Sequence, residues 1–299
     1  MRLASAISRR RALGWAIFAS LVAVAASATL ASANLLSPEH GGSPNADKIN
    51  TLWWLIFAIA LIVFIGVEGL LFYSLFKYRA RKGNVAAQIH GNTQLEIGWT
   101  VGAAIILVVI GIFTFALLPG IRNPPNSGPD GYKGGYVQIA DSVRRLPPNG
   151  KSLNICVTGQ QYIWRYTYAQ NCGQNDFKSV FAYTTMYVPV DTTVTLDIYG
   201  QDVAHSWWIP KLGGKFDAIP GYTNHTWFKV PGKLAGTTFT GQCAELCGRN
   251  HANMIAEVTA MTPDNFEAWL DRQRGAIRRA DQAAARQRQR VDKGQQPGG

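Results

Sequence analysis

Cysteine is scarce, four residues in 299, which is too few for a disulfide scaffold. Acids are scarce as well: 18 Asp and Glu stand against 29 Lys and Arg, a net charge of +11. No C-x-x-C-H string occurs, so the chain attaches no c-type haem. There is no internal repeat, which excludes solenoids and propellers. The basic excess alone would suit nucleic acid, but its placement does not. Many cations sit beside apolar runs or in the last 30 residues, as membrane topology and a solvated tail require. No nucleic-acid partner is expected.

What is present is unevenly spread. The first 120 residues hold three long apolar runs. Arg9, Arg10 and Arg11 precede the first, residues 12–30, and Ala31-Ser32-Ala33 follows it as an A-x-A cleavage site. Residues 1–33 therefore read as a signal peptide, or as a signal anchor if uncleaved. Residues 34–120 read as a transmembrane hairpin with helices at about 51–77 and 95–118, each long enough to cross roughly 30 Å of hydrocarbon. Between them Lys77, Arg79, Arg81 and Lys82 stand with no acid. The positive-inside rule puts that loop in the cytoplasm and both ends of the mature chain outside.

From residue 119 to 150 the chain is rich in Gly, Pro and Asn, as a linker leaving the bilayer would be. Residues 153–262 alternate apolar and polar in short runs, such as Val194-Thr195-Leu196-Asp197-Ile198 and Thr226-Trp227-Phe228-Lys229-Val230. Short strands without helical periodicity predict an all-β sandwich or barrel over residues 121–262. Residues 153–168 read as one strand. At about 3.3 Å per residue it carries Cys156 roughly 40 Å from Tyr168. Unless it bends sharply, Cys172 stays outside the roughly 7 Å that pairing with Cys156 requires. Thr262-Pro263 opens a helix with an apolar stripe of Phe266, Trp269, Leu270 and Ile277. The helix is short in this reading. The rest of 263–299 carries eight basic residues between 272 and 293 and reads as a frayed tail.

The chemistry concentrates in Cys243-Ala244-Glu245-Leu246-Cys247-Gly248-Arg249-Asn250-His251-Ala252-Asn253-Met254, with His205 upstream. Thiolate, imidazole and thioether are the soft set that suits copper. A single-copper site needs one Cys, so the second is surplus, and two thiolates bridging two coppers account for it. Two other readings stand beside this one. A structural zinc site of Cys243, Cys247, His251 and His205 has the right ligand count, though it leaves Met254 idle and needs no membrane anchor. A disulfide between the two cysteines is the other.

These residues resemble a known family. The string from Cys243 to Met254 is similar to the binuclear copper loop of cytochrome c oxidase subunit II. Asp202-Val203-Ala204-His205-Ser206-Trp207 resembles that family's first copper-histidine segment. Lys215-Phe216-Asp217-Ala218-Ile219-Pro220-Gly221 resembles its loop beside subunit I. The segment His90-Gly91-Asn92-Thr93-Gln94-Leu95-Glu96-Ile97-Gly98-Trp99-Thr100 resembles the start of its second membrane helix. The likeness runs from about residue 50 to 270, in matching order and spacing.

The resemblance implies a cupredoxin-like Greek-key β-barrel after the hairpin, then a C-terminal helix. It also implies electron acceptance from a separate cytochrome c, transfer to the haems of subunit I, and dioxygen reduction coupled to proton translocation at the plasma membrane. The copper domain lies on the extracytoplasmic side in this reading, and subunits I and III and membrane lipid are the partners. His205 and His251 would each bind one copper, Cys243 and Cys247 would bridge, and Met254 would be a weak ligand. Glu245 would offer its carbonyl to copper and its carboxylate to a magnesium ion shared with subunit I. Glu96 would open a proton route into subunit I; the bland reading is a helix-start acid favoured by the dipole. Glu68, mid-span, receives no role. Gln160-Gln161-Tyr162-Ile163-Trp164-Arg165-Tyr166-Thr167-Tyr168 resembles the aromatic strand over the copper loop, which makes Tyr162 and Trp164 the electron-accepting pair; core packing is the alternative for such aromatics. Three positions depart from the family: Tyr162 stands for its usual tryptophan, Thr167 for an acid, and Tyr222 for arginine. A quinol-oxidising relative lacks the copper ligands present here. A copper carrier or a nitrous-oxide-reductase-like carrier lacks the Glu96 and Asp217 segments.

Overall fold

The computed structural model describes residues 36–80, 83, 85, 88, 90–134, 146–169, 172 and 179–292. The signal segment, Arg81, Lys82 and the chain from residue 293 onward lie outside the described residues.

Two helices come first, α1 (Pro44–Lys77) and α2 (Thr93–Arg122). At 1.5 Å per residue each exceeds the bilayer core. Both are apolar on every side: Ile62, Phe64, Leu107 and Phe115 are all exposed in the isolated chain. Such surfaces belong in lipid or against another subunit, and the protein is a membrane protein. Both helices run past their apolar runs. α1 begins at Pro44 because Pro at its start is preorganised for a first turn, and that turn is docked. Asn45 Nδ2 donates to the Trp227 carbonyl at 2.9 Å, and the Lys229 N–H donates to Ser43 Oγ at 3.1 Å. α2 continues through Pro119 to Arg122, so the linker starts later than the proline suggests.

The remainder builds two five-stranded sheets. One has the order β3-β2-β1-β5-β8, from Val180–Tyr183, Ile163–Tyr168, Leu153–Gln160, Thr193–Gly200 and Asn224–Lys229. The other has the order β4-β10-β9-β6-β7, from Thr185–Pro189, Ile255–Met261, Thr238–Cys243, His205–Trp208 and Phe216–Ala218. The pairs β1–β5 and β4–β10 are parallel and the rest antiparallel, so the chain crosses between sheets as a Greek-key barrel does. This is the cupredoxin-like domain. Ile155 and Val157, Leu196 and Ile198, and Ala256 and Val258 interdigitate as its core.

The span 153–168 is not one strand. It breaks after Gln160 and returns after Tyr162, with Cys156 beside Thr167 in register. Folding back brings Cys172 to Cys156, their Cα atoms 5.5 Å apart, and the two are joined as a disulfide. The expectation of unpaired thiols fails because Gln161 and Tyr162 form a turn rather than part of a continuous run.

The C-terminal helix also corrects the sequence reading. α3 runs unbroken from Pro263 to Asp292, because its Ala, Arg and Gln residues are strong helix formers. Phe266, Trp269 and Leu270 are buried and close one end of the barrel. Phe266 meets Tyr132 edge-on at 5.2 Å, and Trp269 packs on Tyr168 and Tyr187 at 5.0 and 4.8 Å.

Candidate metal centre

Three segments converge at the other end of the barrel. β6 opens with His205, β9 ends at Cys243, and the loop carries Cys247, His251 and Met254 back into β10. Pairing of Trp207 with Cys243 fixes β6 against β9. The Cys243 N–H donates to the Met254 carbonyl at 2.9 Å, which closes the loop on itself. Two glycines allow the close approach. A Cβ on Gly159 would lie 3.0 Å from the His205 ring, and Gly248 adopts φ 129° with Tyr162 Oη where a Cβ would go.

The donor atoms follow one another in a chain of short contacts. His205 Nδ1 lies 3.9 Å from Cys243 Sγ, and Cys243 Sγ lies 3.9 Å from Cys247 Sγ. Cys247 Sγ lies 3.5 Å from His251 Nδ1 and 3.8 Å from Met254 Sδ. The Glu245 carbonyl accepts from Cys243 Sγ at 3.3 Å. The two cysteines are free thiols, so the disulfide reading of this pair falls. His205, Cys243, Cys247 and Met254 are all buried, as soft ligands held away from water must be.

Local electrostatics prepare the set. Burial works against the Cys243 thiolate, but hydrogen bonds from His205 and the loop backbone overcome it and push its pKa down. Cys247 is pushed up, first by burial and then by the Cys243 charge. Burial also opposes His205 protonation, yet Cys243 and Asp202 raise its pKa on balance. Asp202 Oδ1 lies 2.8 Å from His205 Nε2, and Asp202 Oδ2 accepts the Gln161 N–H at 2.7 Å. Despite partial desolvation, those bonds lower the Asp202 pKa. An Nε2–H held by a carboxylate leaves Nδ1 free to face the thiol. Two thiols, two imidazoles, a thioether and a carbonyl in this arrangement fit soft metal.

The remaining site residues divide. Tyr162 sits half-buried at the β1–β2 turn, against the loop. Trp164 is wholly buried, its ring 5.9 Å from that of His205. The fold thus covers Trp164 and leaves Tyr162 part-exposed. The Glu245 side chain is exposed. Glu96 lies in the first turn of α2 behind the Asn92 cap, away from the cluster. Glu68 is half-exposed in mid α1. Sequence reasoning missed Gln161, whose Nε2 donates to the Cys247 carbonyl at 2.6 Å and ties the turn to the loop. Its place beside the aromatic run was the available signal.

The fold and site define a membrane-anchored cupredoxin-like protein with a two-thiol, two-imidazole cluster suited to soft metal. Comparison with known proteins narrows the class. The family described as cytochrome c oxidase subunit II, periplasmic domain, matches residues 153–261, and the corresponding transmembrane domain matches residues 32–117. Cytochrome c oxidase subunit 2 of Alkalihalophilus pseudofirmus is 33% identical over 262 residues, covering 86% of this chain and 68% of that one. The same subunit of Cereibacter sphaeroides is 30% identical over 275 residues, covering 85% and 88%. The crystal structure of the periplasmic domain of subunit II of cytochrome oxidase from Bradyrhizobium japonicum is 31% identical, with TM-score 0.37, and covers 42% of this chain and 95% of that one. The chain belongs to the cytochrome c oxidase subunit II family, part of an oxidoreductase complex.

Proposed function

We propose that this chain is the electron-accepting subunit of an aerobic terminal oxidase. It takes electrons from cytochrome c at a binuclear copper centre and passes them to the haems of subunit I, where dioxygen is reduced to water with proton translocation. The observation that carries the reading is the pair of unbonded, buried thiols, Sγ atoms 3.9 Å apart, each facing an imidazole Nδ1. One thiol fewer would serve a single copper, and zinc would leave Met254 unused. His205, Cys243, Glu245 through its carbonyl, Cys247, His251 and Met254 would hold the two coppers, which supply a one-electron couple shared between metals.

The chain's own residues do the rest. Asp202 holds the His205 tautomer, burial of both sulfurs excludes water, and a fixed loop keeps reorganisation small. Tyr162 offers the contact through which an electron arrives, and Trp164 lies behind it against His205. The exposed Glu245 carboxylate is available to a magnesium ion shared with subunit I, and exposed Leu246 to an apolar contact.

In this reading residues 1–33 direct export, 34–120 anchor the chain beside subunits I and III, 121–262 hold copper, and 263–299 close the barrel and form the basic tail. The copper domain faces outward from the plasma membrane, because the cations at Lys77, Arg79, Arg81 and Lys82 stay inside. Glu96, at the far end of α2 from the copper domain, receives protons from the cytoplasm. Copper titration of the full chain, with electron paramagnetic resonance, tests the centre. Two metals per chain and a mixed-valence signal delocalised over both are expected; one metal, or a single-copper spectrum, refutes it.

A further inference from the structure

The disulfide has unusual company. Cys156 on β1, Asp197 on β5 and His225 on β8 occupy one lateral row across three adjacent strands, since Cys156 pairs with Asp197 and Asp197 with His225. Cys172 closes over the row from the segment after β2. Asp197 is 0% exposed. Its Oδ2 accepts from Asn154 Nδ2 at 3.0 Å and lies 3.1 Å from Cys172 Sγ, and its Oδ1 lies 2.8 Å from His225 Nδ1. Asn154 Oδ1 in turn accepts from Thr195 Oγ1 at 3.1 Å. One ligand atom from each of Cys156, Cys172 and Asp197 falls within 4.8 Å of the other two. The His225 side chain is 15% exposed and opens the cluster to solvent.

Asn154 and His225 hold the buried carboxylate, but a disulfide does not account for its close approach to sulfur. A carboxylate removed from water is costly unless hydrogen-bonded or paired with a cation. A disulfide sulfur has no hydrogen to give the oxygen 3.1 Å away, whereas a thiol has one, and a metal would satisfy sulfur and oxygen together. Two thiolates, a carboxylate and an imidazole form a four-ligand set of the zinc class. Tetrahedral coordination at zinc bond lengths separates ligand atoms by about 3.3–3.8 Å; Cys172 Sγ and Asp197 Oδ2, 3.1 Å apart, stand close to that spacing, and His225 would join from its contact with Asp197 Oδ1.

We propose that Cys156, Cys172, Asp197 and His225 form a second, redox-gated metal site that holds one zinc-class divalent cation when the disulfide is reduced. The gate is a dithiol reductant. It gives two electrons and two protons to the Cys156–Cys172 bond and becomes a disulfide itself. The cation then displaces both thiol protons as it binds. Asn154, donating to Asp197, orients the carboxylate. Oxidation closes the site and withholds its two thiols, which leaves Cys243 and Cys247 as the free pair of the mature domain.

The test uses the full chain with its copper centre loaded, cobalt(II) as probe and a phosphine reductant without oxygen. Before reduction, no cobalt is taken up. After reduction, with two new thiols confirmed by mass labelling, one cobalt per chain binds and gives thiolate-to-cobalt charge-transfer absorption. His225→Ala leaves the disulfide intact and weakens cobalt binding by about tenfold or more. Cys156→Ser combined with Cys172→Ser removes the absorption band; where that variant does not fold, His225→Ala decides. No uptake by the fully reduced chain, or uptake that His225→Ala leaves at full affinity, overturns the proposal.

Discussion

The candidate metal residues could be singled out in the sequence because their spacing is local. Cys243, Cys247, His251 and Met254 fall within twelve positions, and one turn of loop gathers them. What the sequence hides is the residue that aims them. Asp202 stands three residues before His205, yet only the fold of β6 brings its carboxylate to Nε2 at 2.8 Å. Asp202→Asn keeps the volume but removes the charge and leaves one acceptor oxygen where His205 Nε2 and the Gln161 N–H each use one. Copper affinity of the Asn variant should fall about 10- to 100-fold, as for other outer-shell partners of metal-bound histidine. Thermal unfolding of the metal-free chain should move little. Competitive titration with a copper chelator measures the first, and unchanged affinity would show that His205 needs no such support. The Cys156–Cys172 bond was illegible for the opposite reason. Its geometry depends on a two-residue turn inside a span whose apolar alternation continues on both sides, and the pattern alone carries no mark of the reversal.

At the scale of elements, strands such as β10 were legible because burial alternates along them with period two. α3 was half legible: its apolar stripe located the packed turns, while its charge suggested a frayed end where a helix persists. The two halves differ in energetic weight. Phe266, Trp269 and Leu270 close the barrel, so Phe266→Ala should destabilise the chain by about 3–5 kcal/mol, the range for emptying an aromatic core site. From Arg278 onward almost every residue is exposed. Truncation after Ile277 should therefore leave the unfolding temperature of the β domain within about 2 °C, a shift of well under 1 kcal/mol. Calorimetry of both variants separates the roles; a large loss on truncation would mean that the outer turns stabilise the domain.

At the scale of the molecule, the proposed function couples two ends that the chain itself connects. α2 runs from the Glu96 turn to the linker under the copper domain, about 45 Å at 1.5 Å per residue. Glu96→Gln should slow turnover of the assembled oxidase and leave the copper spectrum untouched, and unaltered turnover across the pH range would remove Glu96 from the proton route. The opposite end sets the choice of donor. Opposite charge patches speed cytochrome docking and make it fall with ionic strength. Residues 119–262 carry twelve Lys and Arg against nine Asp and Glu, and α3 adds further arginines. Around the metal loop Asp217 and Glu245 are offset by Lys215 and Arg249, and Asp202 already holds His205 and the Gln161 N–H. Thr167, where the family resemblance leads one to expect an acid, is buried and adds no charge. A strongly basic cytochrome therefore gains little steering here, and a neutral, acidic or membrane-tethered donor fits better, landing on Tyr162 and the apolar rim of Leu246. Oxidation rates for a basic and an acidic cytochrome c should be compared between about 0.01 and 0.15 M salt, where the screening length falls from roughly 30 to 8 Å. The basic donor should hold no advantage at low salt. If it is faster there and loses its lead steeply as salt rises, an acidic patch governs docking and the charge argument fails.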